Sequence, residues 1–129
     1  MKTLFLVRHA KSSWDDPTLA DKDRPLNARG ERDAPKMGKR LAKREVKLDL
    51  IVSSPANRAI TTAQVLADKL DFKLKNIEVD DRLYPGAVSA LLELRQDHAC
   101  EFVTARHISG KHIGNFHDFL LPSSGMNYL

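Results

Sequence analysis

The chain has little of what would place it in a membrane or an oxidising compartment. It carries one cysteine, Cys100, in 129 residues, so no intrachain disulfide can form, which agrees with a reducing compartment. No apolar run approaches the roughly 20 residues that a bilayer span requires. Leu4-Phe5-Leu6-Val7, ahead of Arg8, is too short for the core of a signal peptide. Aromatic residues make up 6% of the chain, which gives little support to stacking-based recognition of single-stranded nucleic acid. There is also no internal repeat and no low-complexity linker, and the length suits one core rather than two. The expectation is a single domain over residues 1–129, cytoplasmic and monomeric, with no membrane partner.

What is present is an ordinary globular composition, 42% hydrophobic and 29% charged, with a formal net charge of +4. An excess of that sign suits nucleic acid, an anionic surface or a phosphorylated substrate, and charge alone does not choose among them. Much of it lies in Lys36, Lys39, Arg40, Lys43, Arg44 and Lys47, at the spacing of one predicted helix. We read these as a solvated helix face rather than a binding patch, and expect no nucleic-acid partner.

Thr3 to Val7 is an apolar, partly β-branched run that predicts a buried strand, ended abruptly by Arg8. Residues 10 to 26 are polar and aperiodic, with Pro17 and Pro25 as breakers, and predict a long loop. Asn27 then caps a helix to about Arg44 with the stripe Ala34, Met37 and Leu41, although Pro35 and Gly38 predict a kink or a later start. Leu48 to Ser53 is a second strand. Ser54 is its successor's expected helix cap, with Pro55 at the first helical position of a helix running to about Leu70. Ala59, Ala63, Leu66, Ala67 and Leu70 form that helix's apolar stripe, and Arg58 lies in its first turn. Ile77 to Val79 predicts a third strand, Ala87 to Leu94 a helix, and Glu101 to Ala105 a fourth strand. This alternation argues for a layered α/β fold with a mostly parallel sheet. After Ala105, Gly110, Gly114, Pro122 and Gly125 interrupt any period.

Ligands of open α/β sheets bind beyond the carboxyl ends of the strands, which puts Arg8-His9 and Ser53-Ser54 on one edge. The first loop offers Arg8, His9, Lys11, Ser12 and Ser13; the second offers Ser53, Ser54 and, one turn on, Arg58. Cations and hydroxyls around one imidazole suit a phosphate dianion, because guanidinium forks match its oxygens and a helix start favours anions. An imidazole with one unprotonated ring nitrogen can attack phosphorus there and form phosphohistidine.

The segments Leu6-Val7-Arg8-His9-Ala10-Lys11-Ser12-Ser13-Trp14, Arg24-Pro25-Leu26 with Arg29-Gly30, Ser53-Ser54-Pro55-Ala56-Asn57-Arg58-Ala59 with Thr62-Ala63, and Leu83-Tyr84 follow in one order. In that order and spacing the chain resembles the histidine phosphatase superfamily, with its phosphoglycerate-mutase-like fold, and within it the SixA-type phosphohistidine phosphatases. The likeness covers about residues 1–94, while 100–129 diverge. It implies a three-layer α/β sandwich and a phosphatase acting on phosphohistidine in proteins or on a small phosphomonoester. It implies His9 as nucleophile, Arg8 and Arg58 as phosphate-binding arginines, Ser12 as an added phosphate contact, and no metal or organic cofactor. Asp81, in Asp80-Asp81-Arg82-Leu83-Tyr84, falls near the family's usual proton donor.

The family also places a second pocket histidine after a late strand. His107 stands at that point without matching neighbours, and His112 is the fallback. The five-residue spacing of His107, His112 and His117 does not suit a helical metal pair. Family members continue into a last strand where this chain ends, so a C-terminally truncated fold is expected. Two other readings remain at this point: a binding module that keeps the fold and has lost turnover, and a basic nucleic-acid-binding domain using the face from Lys36 to Lys47.

Overall fold

Leu4–Arg8, the first apolar run, becomes strand β1, and Arg8 is its last residue. The computed structural model describes residues 4–85, 89, 93, 102–105 and 126–128. The other strands are β2 (Ile51–Ser53), β3 (Ile77–Val79), β4 (Phe102–Ala105) and β5 (Met126–Tyr128), and the helices are α1 (Ala28–Lys43) and α2 (Asn57–Lys69). The sheet order is β3-β2-β4-β1-β5, and every pairing is parallel. Arg8 lies opposite Ala105, and Ser53 lies opposite both Thr104 and Val79, so four strands end at one edge. All three residues of β2 are buried, as in a parallel strand covered on both faces.

Asn27 caps α1 as its sequence suggests, accepting from the Gly30 amide at 2.9 Å. The helix then runs from Ala28 through Pro35 to Lys43, so the later start anticipated from Pro35 and Gly38 is not taken. Its buried stripe of Ala34, Met37, Gly38 and Leu41 supplies packing that outweighs the local propensity cost. Gly38 has a positive role. A Cβ there would stand 2.7 Å from Lys69 Cβ, so the missing side chain is what lets α1 approach α2 closely. Lys36, Lys39, Arg40, Lys43 and Arg44 are exposed, as expected of a solvated face.

Helix α2 starts two residues later than the Ser54-Pro55 signal predicts. Ala56 is its cap residue without a side-chain bond, and the Ser54 hydroxyl instead accepts from the Ala56 amide at 3.2 Å, in the turn before the helix. The stripe Ala59, Ala63, Leu66 and Ala67 is fully buried, and Leu70 is half-buried against the same core as Val7, Met37, Leu41 and Ile51. Strand β2 is shorter than Leu48 to Ser53, because Leu48 packs on the core without joining the sheet ladder. Strand β3 has the predicted bounds. Ser89 and Glu93 are helical, and the rest of the helix predicted over Ala87 to Leu94 lies outside the described residues.

The sheet also holds a strand that the sequence pattern does not announce. Met126–Tyr128 pair with Leu4 to Leu6 at the edge of the sheet. Among the described residues no helix is long and apolar enough to cross a membrane.

Candidate active site

His9 follows the last residue of β1 and is half-buried. Its Nδ1 lies 2.7 Å from the Ala10 carbonyl oxygen, which can accept but not donate, so Nδ1 carries the proton. Nε2 is then an acceptor, and the Arg58 Nε–H donates to it at 3.2 Å. The ring is thus held with its unprotonated nitrogen turned toward a guanidinium. The backbone beside it is also fixed. The Ala10 amide donates to Thr62 Oγ1 at 3.0 Å, and the Thr62 hydroxyl donates to the Arg58 carbonyl at 2.7 Å. Thr62 stands four residues after Arg58 on the same helix face, so one buried hydroxyl ties the histidine loop to the arginine's turn.

Arg58, the second residue of α2, is 2% exposed. Its two terminal nitrogens are taken by Asp21, one by the backbone carbonyl and the other by Oδ2 at 3.0 Å. Asp21 opens a 3-10 turn, Asp21–Asp23, inside the loop predicted over residues 10 to 26. Its carboxylate also accepts from Arg24 at 2.9 Å and from the Tyr84 hydroxyl at 2.9 Å. Arg24 is buried as well, and donates to the Ser13 carbonyl at 2.8 Å and to Ser12 Oγ at 2.6 Å. The loop is therefore a braced structure. It closes through Ser13 N–H to the Pro25 carbonyl at 2.8 Å and Asn27 N–H to the Lys11 carbonyl at 2.9 Å, and Asn57 reaches the Asp23 carbonyl at 3.1 Å. Farther out, hydrogen bonds from the Thr18 hydroxyl and then its amide hold the exposed Asp16 carboxyl below its ordinary range.

The structure thus brings His9 and Arg58 into direct contact and leaves Arg8 exposed at the carboxyl end of β1 beside them. Ser12 is buried with its hydroxyl accepting from Arg24, which makes it a brace of the loop. Asp81 begins the 3-10 turn Asp81–Leu83 after β3 and is exposed; among the described residues no hydrogen bond joins it to His9 or Arg58. Its neighbour Asp80 caps the Arg82 amide at 2.9 Å and pairs with the Arg82 guanidinium at 2.7 Å. His107, His112 and His117 lie outside the described residues. Among those described, no group of three or more His, Cys, Asp or Glu could hold a metal.

Sequence reasoning assigned no role to Asp21, Arg24, Thr62 or Tyr84. The i, i+4 relation of Arg58 and Thr62 was a usable signal, whereas Asp21 sat in a stretch with no period to interpret. The assembled geometry gathers one exposed and one buried guanidinium and an imidazole at the carboxyl edge of the sheet. The profile of the histidine phosphatase superfamily (branch 1) matches residues 4–98. The chain belongs to that superfamily. Its fold is similar to a structure named for the phosphohistidine phosphatase SixA of Agrobacterium tumefaciens, with a TM-score of 0.76 and 28% identity, covering 84% of this chain and 71% of that one. A protein histidine phosphatase SixA complexed with tungstate aligns with a TM-score of 0.66 and 25% identity, over 81% of this chain and 68% of that one. The phosphatase PhoE of Bacillus subtilis, itself uncharacterised, is 35% identical over 100 residues, 74% of this chain and 50% of its own length. The chain spans 30% to 50% of the length of the first curated relatives it matches.

Proposed function

We propose that this histidine-phosphatase chain is a phosphatase that takes a phosphoryl group onto His9 Nε2, with phosphohistidine in a protein as its substrate. The observation that carries the reading is the pair of bonds on His9: Nδ1–H to the Ala10 carbonyl at 2.7 Å, and Nε2 facing the Arg58 guanidinium at 3.2 Å. In the first step Nε2 donates its electron pair to phosphorus, and the bond from phosphorus to the substrate's imidazole nitrogen breaks. That nitrogen takes a proton as it leaves, for which Asp81 is the proposed donor. An imidazole leaving group makes a smaller demand on the acid than an alkoxide does. In the second step water attacks phosphorus and passes a proton to the Asp81 carboxylate left by the first step, the bond to Nε2 breaks, and inorganic phosphate departs.

Arg58 and Arg8 would neutralise the oxygens of the transferring group, and such electrostatic stabilisation is the main work of a phosphoryl-transfer site without a metal. Ser12 stands as a further proposed phosphate contact from the nucleophile loop. On sequence position, His107 is proposed to complete the pocket, since β4 ends two residues earlier, at Ala105 opposite Arg8. The likeness to SixA structures supports phosphohistidine over a small phosphomonoester. The test is to mix the protein with a phosphohistidine-bearing peptide carrying labelled phosphorus and quench rapidly in alkali, in which phosphohistidine survives. Label on a peptide containing His9, absent from His9→Ala, is expected. Substantial turnover by folded His9→Ala would remove His9 as nucleophile.

A further inference from the structure

Trp14 is the chain's single tryptophan and is 73% exposed, although it stands in the loop that braces Arg58. Scattered exposed apolar side chains are ordinary on protein surfaces. What sets this one apart is how it is held. One face of the indole is covered by the Arg24 guanidinium, whose carbon lies 3.3 Å from the ring centroid. Arg24 itself is 5% exposed, and its nitrogens are committed to Ser13, Asp21 and Ser12 at 2.6 to 2.9 Å. The ring is therefore stacked on an immobilised cation, a contact of the kind that holds aromatic side chains in place.

An exposed ring that is already ordered loses little conformational freedom when a partner covers it, and tryptophan is over-represented among residues that carry binding energy. Its placement gives the partner. Asp21 accepts from Arg24 through Oδ1 and from Arg58 through Oδ2, and Arg58 donates to His9. The indole thus stands one arginine and one carboxylate away from the phosphate-binding arginine. When a phosphorylated side chain enters such a pocket, the backbone that bears it stays outside, where exposed side chains of the surrounding loops can meet it. Leu19, on the same loop, adds a second exposed apolar side chain.

We propose that Trp14 is a specificity-determining residue that docks the polypeptide flanking the phosphorylated side chain. Trp14 thereby favours protein-borne over free phosphoryl donors. The inference rests on the reading given under Proposed function.

The test compares two donors, phosphoramidate and a phosphohistidine-bearing peptide, with the parent chain, Trp14→Ala and Trp14→Phe. The ratio of kcat/KM for peptide over phosphoramidate should fall about tenfold in Trp14→Ala, through KM more than kcat, and recover largely in Trp14→Phe. If Trp14→Ala fails to fold, the His9→Ala chain decides by fluorescence. Its emission, which comes from Trp14 alone among tryptophans, should shift as the phosphopeptide is added and stay constant with inorganic phosphate. A parent chain that turns over neither donor overturns the phosphatase reading and this inference with it. Turnover of both donors with an unchanged ratio in Trp14→Ala, or phosphopeptide binding with no change in emission, overturns this inference alone.

Discussion

Removing the Asp21 carboxylate should cost both stability and catalysis, and the structure sets the size of each. Asp21 Oδ2 faces Arg58, which is 2% exposed, and Oδ1 faces Arg24, which is 5% exposed. Breaking a fully buried ion pair from one side costs roughly 3–5 kcal/mol, since a charge is left without its partner, whereas an exposed pair contributes about 0–1 kcal/mol. Here the two arginines are buried, but the Asp21 side chain is 32% exposed and water can reach the vacated space. An intermediate loss of about 2 kcal/mol follows for Asp21→Ala, a fall in Tm on the order of 8 °C for a domain of this size. Catalysis should fall further, because the Arg58 fork loses a partner that aims its Nε–H at His9. Reversible urea unfolding measures the first effect. The second is read from kcat/KM on a phosphohistidine-bearing peptide under conditions where the variant is fully folded. Asp21→Asn, which keeps the shape and drops the charge, should fall between parent and Asp21→Ala in stability. If Asp21→Ala unfolds within about 0.5 kcal/mol of the parent, in the range of a neutral surface change, and retains its kcat/KM, then the carboxylate neither balances nor aims Arg58.

Arg58→Lys should lower kcat/KM by about 10²-fold, since an ammonium cannot reproduce a planar fork that serves His9 and Asp21 together; full activity on any phosphorylated donor would refute a fork-dependent role. Thr62→Val should destabilise by about 1–3 kcal/mol, the cost of leaving the buried Ala10 amide without its 3.0 Å acceptor, and urea titration compared with Thr62→Ser, expected to be near the parent, checks it. Gly30→Ala places a Cβ 2.2 Å from the Lys11 carbonyl oxygen, a backbone atom that cannot rotate away. The overlap should cost more than the roughly 1 kcal/mol that alanine gains over glycine in a helix, so a net loss of stability in thermal melts is expected and a net gain would show the contact is not as close as it stands.

The parts of the site that could be read in the sequence are those fixed by the local chain. His9 and Arg58 were legible because each follows a strand that an apolar run announces, and the ends of parallel strands fall on one edge once the crossovers are helical. Strand β3 and the buried stripe of α2 were legible for the same reason, periodicity with clear breakers at both ends. The later start suggested by Pro35 and Gly38 is not taken, because propensity judges a residue in isolation while Gly38 meets Lys69 of another helix, a relation that no window on α1 contains. Strand β5 was missed because its partner, Leu4 to Leu6, lies at the other end of the chain.

The least legible element turned out to organise the rest. Residues 10 to 26 have no period, and a polar aperiodic stretch reads as a connection. In the fold it is a bracket made rigid by side-chain bonds within it, Arg24 to Asp21, Ser12 and the Ser13 carbonyl, and by bonds out of it, Asp21 to Arg58 and Tyr84. The bonds from Asp21 to Arg58 and Tyr84 obey no spacing rule, since a bond between a loop and a distant element is set by where the sheet puts their ends. The consequence is physical. A buried guanidinium aimed at an imidazole needs a counter-charge that is neither on its own helix nor on the histidine's strand, and this loop is the segment that supplies it. The same bracket presents Trp14 outward through Arg24, so the residue that balances Arg58 and the residue that meets solvent are held by one side chain.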